Sequence, residues 1–407
     1  MLVLEHVSEL ATCPPGHPQD DAGLIRDAAL VADHGEILWV GRTADLPAAF
    51  RPGPSSGQRI DCSGRLVIPG LVDCHTHLCF GGWRGDEFEQ RLAGASYQEI
   101  AAAGGGILRT VAATRATGRA ELLAKARAAL DGMLRLGVTT VECKSGYGLD
   151  EANELKQLHV YRELDATHAT DLVPTFLGAH VIPPEYRDDR AGYVDLLCNR
   201  LIPAVADEGL AEFCDAFVER GAFTVAEGRR ILSAAREHGL GIKLHADQLS
   251  DGGGASLAAE FGAVSAEHLE YIGDDGVADL LEAGTVAVSL PLASLYLGER
   301  YLPARRLLTA GVPVAVATDF NPGSAPSYHL PLAMTLACVN QSMTPQEALN
   351  GATTVAARAL ARDDRIGSLL PGYRADFAVI DSPALNHWLY QFVPNACLAV
   401  YKNGAAC

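Results

Sequence analysis

The stretch that decides the fold is "GLVDCHTHLCFGGWR", Gly70 to Arg84, which sets His75 and His77 one residue apart behind an apolar lead-in. On an extended strand the side chains alternate faces, so positions i and i+2 point the same way and both imidazoles face one point. Val67, Ile68, Leu71 and Val72 supply the β-branched and aliphatic character of a buried strand, and the glycines after Phe80 end it in a loop. The spacing predicts one strand over residues 66–77 with the histidine pair near its carboxyl end. Neutral imidazole is a common ligand of zinc and iron, and two converging rings make half a site. Such pairs also occur as surface or hydrogen-bonded core histidines, and the pair by itself does not separate the two.

Working outward, short β-rich runs alternate with longer helical patterns, the signature of βα units around a parallel sheet. The runs are "LVIPGLVDCHTH", "VTTVECKS", "LVPTFLGAH", "EFCDAFVE", "GIKLHAD", "GAVSAEHLE", "TVAVSLP" and "VPVAVATDF". Eight is the number that closes a barrel, and the length from Leu66 to Ala317 suits a (β/α)8 fold of roughly 250 residues. Between the first two strands, Leu123, Ala126, Leu130 and Leu134 recur at helical spacing, with Gly137 placed to end the helix. The flanks carry strand-like pieces, "AALVADHGEILWVG" before the barrel, "RADFAVIDSP" and "ACLAVYKNG" after it. The expected architecture is a TIM barrel over residues 66–364 with a small composite β-sandwich built from 1–65 and 365–407. "RPGPSSGQ", Arg51 to Gln58, reads as a loop.

The chain of 407 residues is 48% hydrophobic, enough to bury a large core. Its formal net charge of −18 repels nucleic acid and anionic membrane, so neither is expected as a partner. Ten scattered cysteines with no CxxC pair argue against a zinc ribbon or a disulfide scaffold and suit reduced thiols. The start "MLVLEHVSEL" has no basic n-region followed by a long apolar run, and a cytoplasmic protein acting on a small molecule is expected. "AGGGI" and "DGGGA" have neither the spacing of a phosphate loop nor that of a dinucleotide fingerprint and read as tight turns.

In such a barrel the carboxyl ends of the strands converge on the active site. His180 closes the third predicted strand, His245 the fifth, His268 the sixth and Asp319 the eighth. His75, His77, His245 and Asp319 together offer three imidazoles and a carboxylate, a set suited to Zn²⁺ or Fe³⁺ with water completing the shell. An ion of this kind lowers the pKa of bound water to about 7, which is hydrolytic machinery.

These strand-end residues resemble the amidohydrolase superfamily. The segments "CFGGWRGDEFEQRLAGASYQEIAAAGGGI", "CKSGYGLD", "FLGAHVIP", "HADQLSDGGGASLAAEFGAVSAEHLE" and "ATDFNPGS" are similar, within it, to the imidazolonepropionase family. The resemblance spans the barrel and most of the chain. It implies hydrolytic opening of 4-imidazolone-5-propanoate to N-formimidoyl-L-glutamate in histidine degradation. It also implies that Arg84 binds the substrate carboxylate, that Tyr147 contacts the ligand from its glycine-flanked turn, and that His180 hydrogen-bonds the ring carbonyl as an oxyanion donor. Asn321, Gly323 and Ser324 would line the far side. Asp319 would take a proton from water while His268 orients water or relays protons. Gln248 stands where some members carry glutamate; a glutamine cannot act as a base, so it is expected to hydrogen-bond substrate or product. The fourth strand lacks the lysine whose carboxylated form bridges two metals in binuclear relatives, so one metal ion per chain is expected. Lys144 adds positive potential or serves structure. An aromatic deaminase of the same superfamily would use the same ligands and release ammonia, and a noncatalytic metal-binding scaffold would bind metal without turnover. A homodimer is the expected assembly.

Overall fold

The structure, a computed structural model, describes residues 1–51, 57–95, 99 and 104–407. Residues 52–56 of the expected loop, and residues 96–98 and 100–103 of the motif from Cys79 to Ile107, lie outside the described residues. The first strands are β1 (Leu2–Ala11), β2 (Leu24–Asp33), β3 (Glu36–Arg42), β4 (Gln58–Asp61) and β5 (Leu66–Pro69). There follow β6 (Leu71–Asp73), β7 (Val138–Lys144), β8 (Asp171–Ala179), β9 (Phe213–Val218), β10 (Gly241–Ala246), β11 (Ser265–His268), β12 (Val286–Ser289) and β13 (Val314–Val316). The chain ends with β14 (Phe377–Ile380), β15 (Cys397–Lys402) and β16 (Ala405–Ala406).

Both termini build one mixed sheet in the order β16-β15-β14-β5-β1-β2-β3, with β4 also on β1. It is a continuous hydrogen-bonded sheet because β1 serves two neighbours, pairing residues 2–5 with β4 and residues 9–10 with β5. A register break between Leu4 and Val7, where His6 takes φ 54°, lets the strand change direction between them. Leu4, Val7, Leu30, Val67 and Phe377 form its core.

The strand anticipated over residues 66–77 is two strands. β5 pairs with β1 and β14 in the mixed sheet, whereas β6 pairs with β7 in the barrel. Gly70 separates them, and a Cβ there would stand 2.3 Å from Thr139 Oγ1, so only a glycine lets the chain pass from one sheet to the other at this point.

β6 to β13 form an eight-stranded parallel sheet in sequence order. Closure between β13 and β6 is made just past their ends, by a bridge between Thr76 and Phe320. Asp319 N donates to His75 O at 3.0 Å and His77 N to Phe320 O at 2.9 Å. Beneath, the buried Asp73 carboxylate accepts from Thr318 N at 3.0 Å and Thr318 Oγ1 at 2.6 Å. Strand alternation brings Glu142 and Lys144 of β7, Asp215 of β9, Lys243 and His245 of β10 and Glu267 of β11 together on one fully buried face, where barrels of this kind more often stack branched apolar side chains. The anticipated helix spans Arg119–Arg135, with Leu122, Ala126, Ala129 and Met133 as its buried stripe and Gly137 at φ 95° behind it. Among the described residues no helix is long and apolar enough to cross a membrane.

Thr318→Val removes one donor from a buried carboxylate at the closing seam. It should destabilise the protein by about 1–3 kcal/mol, read from the urea midpoint at unchanged slope.

Candidate metal centre and active site

His75, His77 and His245, carried by the ends of β6 and β10, place ligand nitrogens within 4.8 Å of one another. Asp319 joins them, its Oδ1 3.5 Å from His75 Nε2 and 3.4 Å from His77 Nε2. All four are buried. Burial holds His75 well below the usual imidazole range and His245 down at about 4, so both rings are neutral, the form that donates a lone pair. Against the cost of its own burial, the two adjacent imidazoles keep Asp319 well below the usual carboxylate range. Both ring nitrogens of His75 and the Nε2 of His245 are buried with no hydrogen-bond partner, which a folded chain tolerates poorly unless something else binds there. The donor set fits a metal ion.

The orientation of His245 has a visible cause. Asp215 accepts from His245 N at 3.0 Å and from its Nδ1 at 2.8 Å. A carboxylate only accepts, so Nδ1 carries the proton and Nε2 is left to bind. Asp215 is held in turn by the Lys144 ammonium at 2.8 Å, which also donates to Glu142 at 2.7 Å. Burial alone would strip Lys144 of its proton, but Asp215 and Glu142 outweigh it and raise its pKa. Of the two readings left open for Lys144, the geometry selects the structural one. Asp215 and Glu142 were legible in principle, as charges inside the apolar runs "FCDAFV" and "VTTVECK".

His180 closes β8 and stacks on His77, with centroids 5.1 Å apart and planes at 17°. Its Nδ1 lies 3.0 Å from the Gly146 carbonyl, which can only accept, so Nδ1 is the protonated nitrogen. Burial, with His77 and His245 adding to it, keeps the ring neutral. The remaining nitrogen, Nε2, is therefore an acceptor, and the expected oxyanion-donor role does not suit this tautomer. Tyr147 is buried beside the stacked pair, 5.4 Å from His180 and 5.7 Å from His77. Its turn is fastened by Glu154, whose Oε1 accepts from Gly146 N at 3.2 Å, Gly148 N at 2.8 Å and Leu149 N at 2.8 Å. No local pattern in the sequence marks Glu154 for this task.

On the other side, the Arg84 guanidinium packs against Gly323, where a Cβ would fall 1.0 Å from Arg84 Nη2. The Arg84 Nε is buried without a hydrogen-bond partner and 3.8 Å from Glu87 Oε2. The Asn321 side chain is committed within its own loop. Its Nδ2 donates to Asp319 O at 2.6 Å and Ser324 Oγ at 2.8 Å, and its Oδ1 accepts from Gly323 N at 2.7 Å and Ser324 N at 2.8 Å. It shapes the loop that seats Asp319, and Ser324 Oγ completes it 3.3 Å from Asp319 Oδ2. His268, at φ 74°, points Nδ1 to Glu270 Oε1 at 3.4 Å. Burial would lower its pKa, but Glu270 and Asp319 prevail and raise it. Gln248 is partly exposed in the loop after β10, where Glu219 accepts from Leu249 N at 2.8 Å. The glycines of "DGGGA", expected as a tight turn, form the irregular entry to a helix that starts at Gly254, with Gly253 at φ 77° and Asp247 accepting from Gly252 N and Gly254 N at 3.0 and 3.1 Å.

Asp215→Asn keeps the shape and removes the charge that fixes the His245 tautomer. Metal affinity measured by chelator competition should fall about 10–100-fold, with the far-ultraviolet circular dichroism unchanged.

Residues 66–407 match the model of the amidohydrolase family. The chain is 51% identical over 389 residues to an imidazolonepropionase of Cupriavidus taiwanensis, covering 95% of this chain and 92% of that protein. It is 50% identical over 391 residues to an imidazolonepropionase of Symbiobacterium thermophilum, covering 96% and 92%. Among solved structures, an adenosine deaminase from Xanthomonas campestris with bound zinc superposes with a TM-score of 0.70 at 20% identity, covering all of this chain and 92% of the other. An atrazine chlorohydrolase from Arthrobacter aurescens complexed with zinc gives 0.73 at 16% identity, covering all of this chain and 95% of the other. The last two share the fold, whereas the match along nearly the whole length to the first two is much closer, and the chain belongs to the imidazolonepropionases of the amidohydrolase family.

Proposed function

We propose that this protein hydrolyses the cyclic amide carbon–nitrogen bond of 4-imidazolone-5-propanoate, releasing N-formimidoyl-L-glutamate. The observation that carries this reading is the pair of buried, partnerless imidazole nitrogens on His75 and His245 beside Asp319, flanked by a half-sequestered arginine. His75, His77, His245 and Asp319 would hold one ion, Zn²⁺ or Fe³⁺. Bound there, it supplies water activation and Lewis-acid stabilisation of developing charge.

The chain's own groups divide the remaining work. Arg84, always charged and planar, takes the propanoate carboxylate and fixes the ring in the mouth of the barrel. His180, with only Nε2 to offer, accepts a ring N–H, while Tyr147 packs beside it. Asp319, an anion at neutral pH, receives the proton of the attacking water as the hydroxyl adds to the ring carbonyl carbon. His268, whose proton Glu270 helps retain, returns a proton to the nitrogen that leaves as the carbon–nitrogen bond breaks. Gln248 is assigned to hydrogen bonding of substrate or product. The reading includes a cytoplasmic homodimer: the ten thiols are unpaired, and exposed Val339, Tyr390 and Phe392 supply apolar surface.

Freshly made 4-imidazolone-5-propanoate, followed by its ultraviolet loss, tests this directly. Metal-loaded protein should consume it and form formimidoylglutamate without free ammonia, and chelated protein should not. Arg84→Ala should raise KM about 10–100-fold, the worth of a charge-assisted pair. Gly323→Ala, which pushes the guanidinium aside, should raise KM in the same direction while leaving kcat within about twofold. A fully metallated, folded sample with no turnover would sink the substrate assignment.

A further inference from the structure

Arg84 is useful only if its guanidinium stays aimed, yet the segment that delivers it, Phe80-Gly81-Gly82-Trp83-Arg84, has little stiffness of its own. Gly82 sits at φ 67°, and Gly81 is pressed so close to the Ala113 carbonyl, 2.5 Å from a Cβ built there, that no larger residue fits. Gly81 N donates to Thr114 Oγ1 at 2.9 Å and a helix, Gly85–Leu92, takes up the chain after Arg84, which leaves the tip at Gly82 and Trp83 to be held from outside the segment.

Lys125, on the helix Arg119–Arg135, does so. Its Nζ donates to Gly82 O at 2.6 Å and lies 3.7 Å from the Phe80 ring centroid and 4.4 Å from that of Trp83. Phe80 and Trp83 meet edge to face at 4.9 Å. Phe320, the residue after Asp319, packs on both at 5.7 and 6.2 Å. Tyr328 backs Phe320 at 5.3 Å and leans on Gly132, where a Cβ would stand 2.4 Å from its hydroxyl. Lys125, Ala128, Ala129 and Gly132 lie on one face of the helix at i, i+3, i+4 and i+7, so small residues make room for the rings and one cation ties them. A cavity of about 260 Å³ remains between these side chains. Burial brings the Lys125 pKa down to about 8, which still leaves it mostly protonated at pH 7.

We propose that Lys125 is a positioning residue for substrate: by clamping Phe80, Gly82 and Trp83 it aims Arg84 at the substrate carboxylate. This rests on the carboxylate-binding reading of Arg84. A cation held against two rings and a carbonyl in a partly desolvated site is strong enough to fix a glycine-rich segment, and one peptide bond separates the clamped Trp83 from Arg84. Lys125 itself contacts Gly82, Phe80 and Trp83 and none of the groups assigned to the metal or to proton movement, so its effect should fall on binding.

The test is a double-mutant cycle on the metal-loaded enzyme with 4-imidazolone-5-propanoate. Lys125→Met, which keeps the stem and deletes the charge, should raise KM about tenfold with kcat within about twofold. Lys125→Arg should restore KM to within about twofold of wild type. On the Arg84→Ala background, Lys125→Met should add nothing, because the residue through which it acts is gone. If Lys125→Met does not fold, Lys125→Leu, which likewise deletes the charge and the donor to Gly82 O, takes its place with the same rise in KM expected. An equal rise in KM on both backgrounds would overturn the proposal, and so would a lowered melting temperature with KM unmoved. If Arg84→Ala itself leaves KM unchanged, it is the carboxylate reading that fails.

Discussion

The seam between β6 and β13 is the constraint on which the rest of the molecule depends. A barrel closes only if its first and last strands meet, and here they meet through the backbone of the residues that build the buried histidine–aspartate cluster: His75 O to Asp319 N, Thr76 to Phe320, Phe320 O to His77 N. Closing the sheet and bringing His75 and His77 to Asp319 are therefore one event. The barrel end of β10 delivers His245 into the same space because parallel strands share a carboxyl end. Asp319 takes φ 54° to make the approach, and Asp247, His268 and Leu269 also lie at positive φ on neighbouring strand ends. Backbone of this kind costs on the order of 1–2 kcal/mol per residue and persists only where the surroundings over-determine it. Here they do, since Asn321 and Asp247 each collect the amides of the loops that follow.

Below the histidine–aspartate cluster the barrel is filled with charge. Five ionisable side chains, Glu142, Lys144, Asp215, Lys243 and Glu267, are fully buried and bonded to one another or to hydroxyls and carbonyls. Taking such groups out of water is expensive, and apolar packing would serve stability at least as well. What the network provides is fixed orientation: the chain of contacts from Glu142 through Lys144 and Asp215 ends at one imidazole tautomer. Burial also pushes Glu267 toward its neutral form, which limits the uncompensated negative charge under the centre.

Around the mouth, one device recurs. A carboxylate gathers several backbone N–H groups and turns a glycine-rich loop into a fixed surface, as Glu154 does under Tyr147, Glu219 under Leu249 and Ser250, and Asp247 under the glycines that follow it. An acidic chain uses some of its negative charge internally in this way, and charge-assisted bonds to amides are among the stronger ones available.

The sequence by itself determined the eight strand runs, the strand-end histidines and Asp319, because these follow from local rules: period-two alternation, β-branched runs, glycine at turns. Period-two alternation also led to the expectation that His75 and His77 face one point; they do converge, but from the segment just past β6, which ends at Asp73. Local rules do not see non-local contact. They could not show that Gly70 divides one apolar run between two sheets, because what forbids a side chain there is Thr139, sixty-nine residues away. Nor could they show that Asn321 spends its amide within its own loop, or that His180 donates its Nδ1–H to the Gly146 carbonyl. Only the tertiary structure decided those points, because a protonation state or a steric limit is set by whichever atom lies three ångströms away, and the folded chain alone chooses that neighbour.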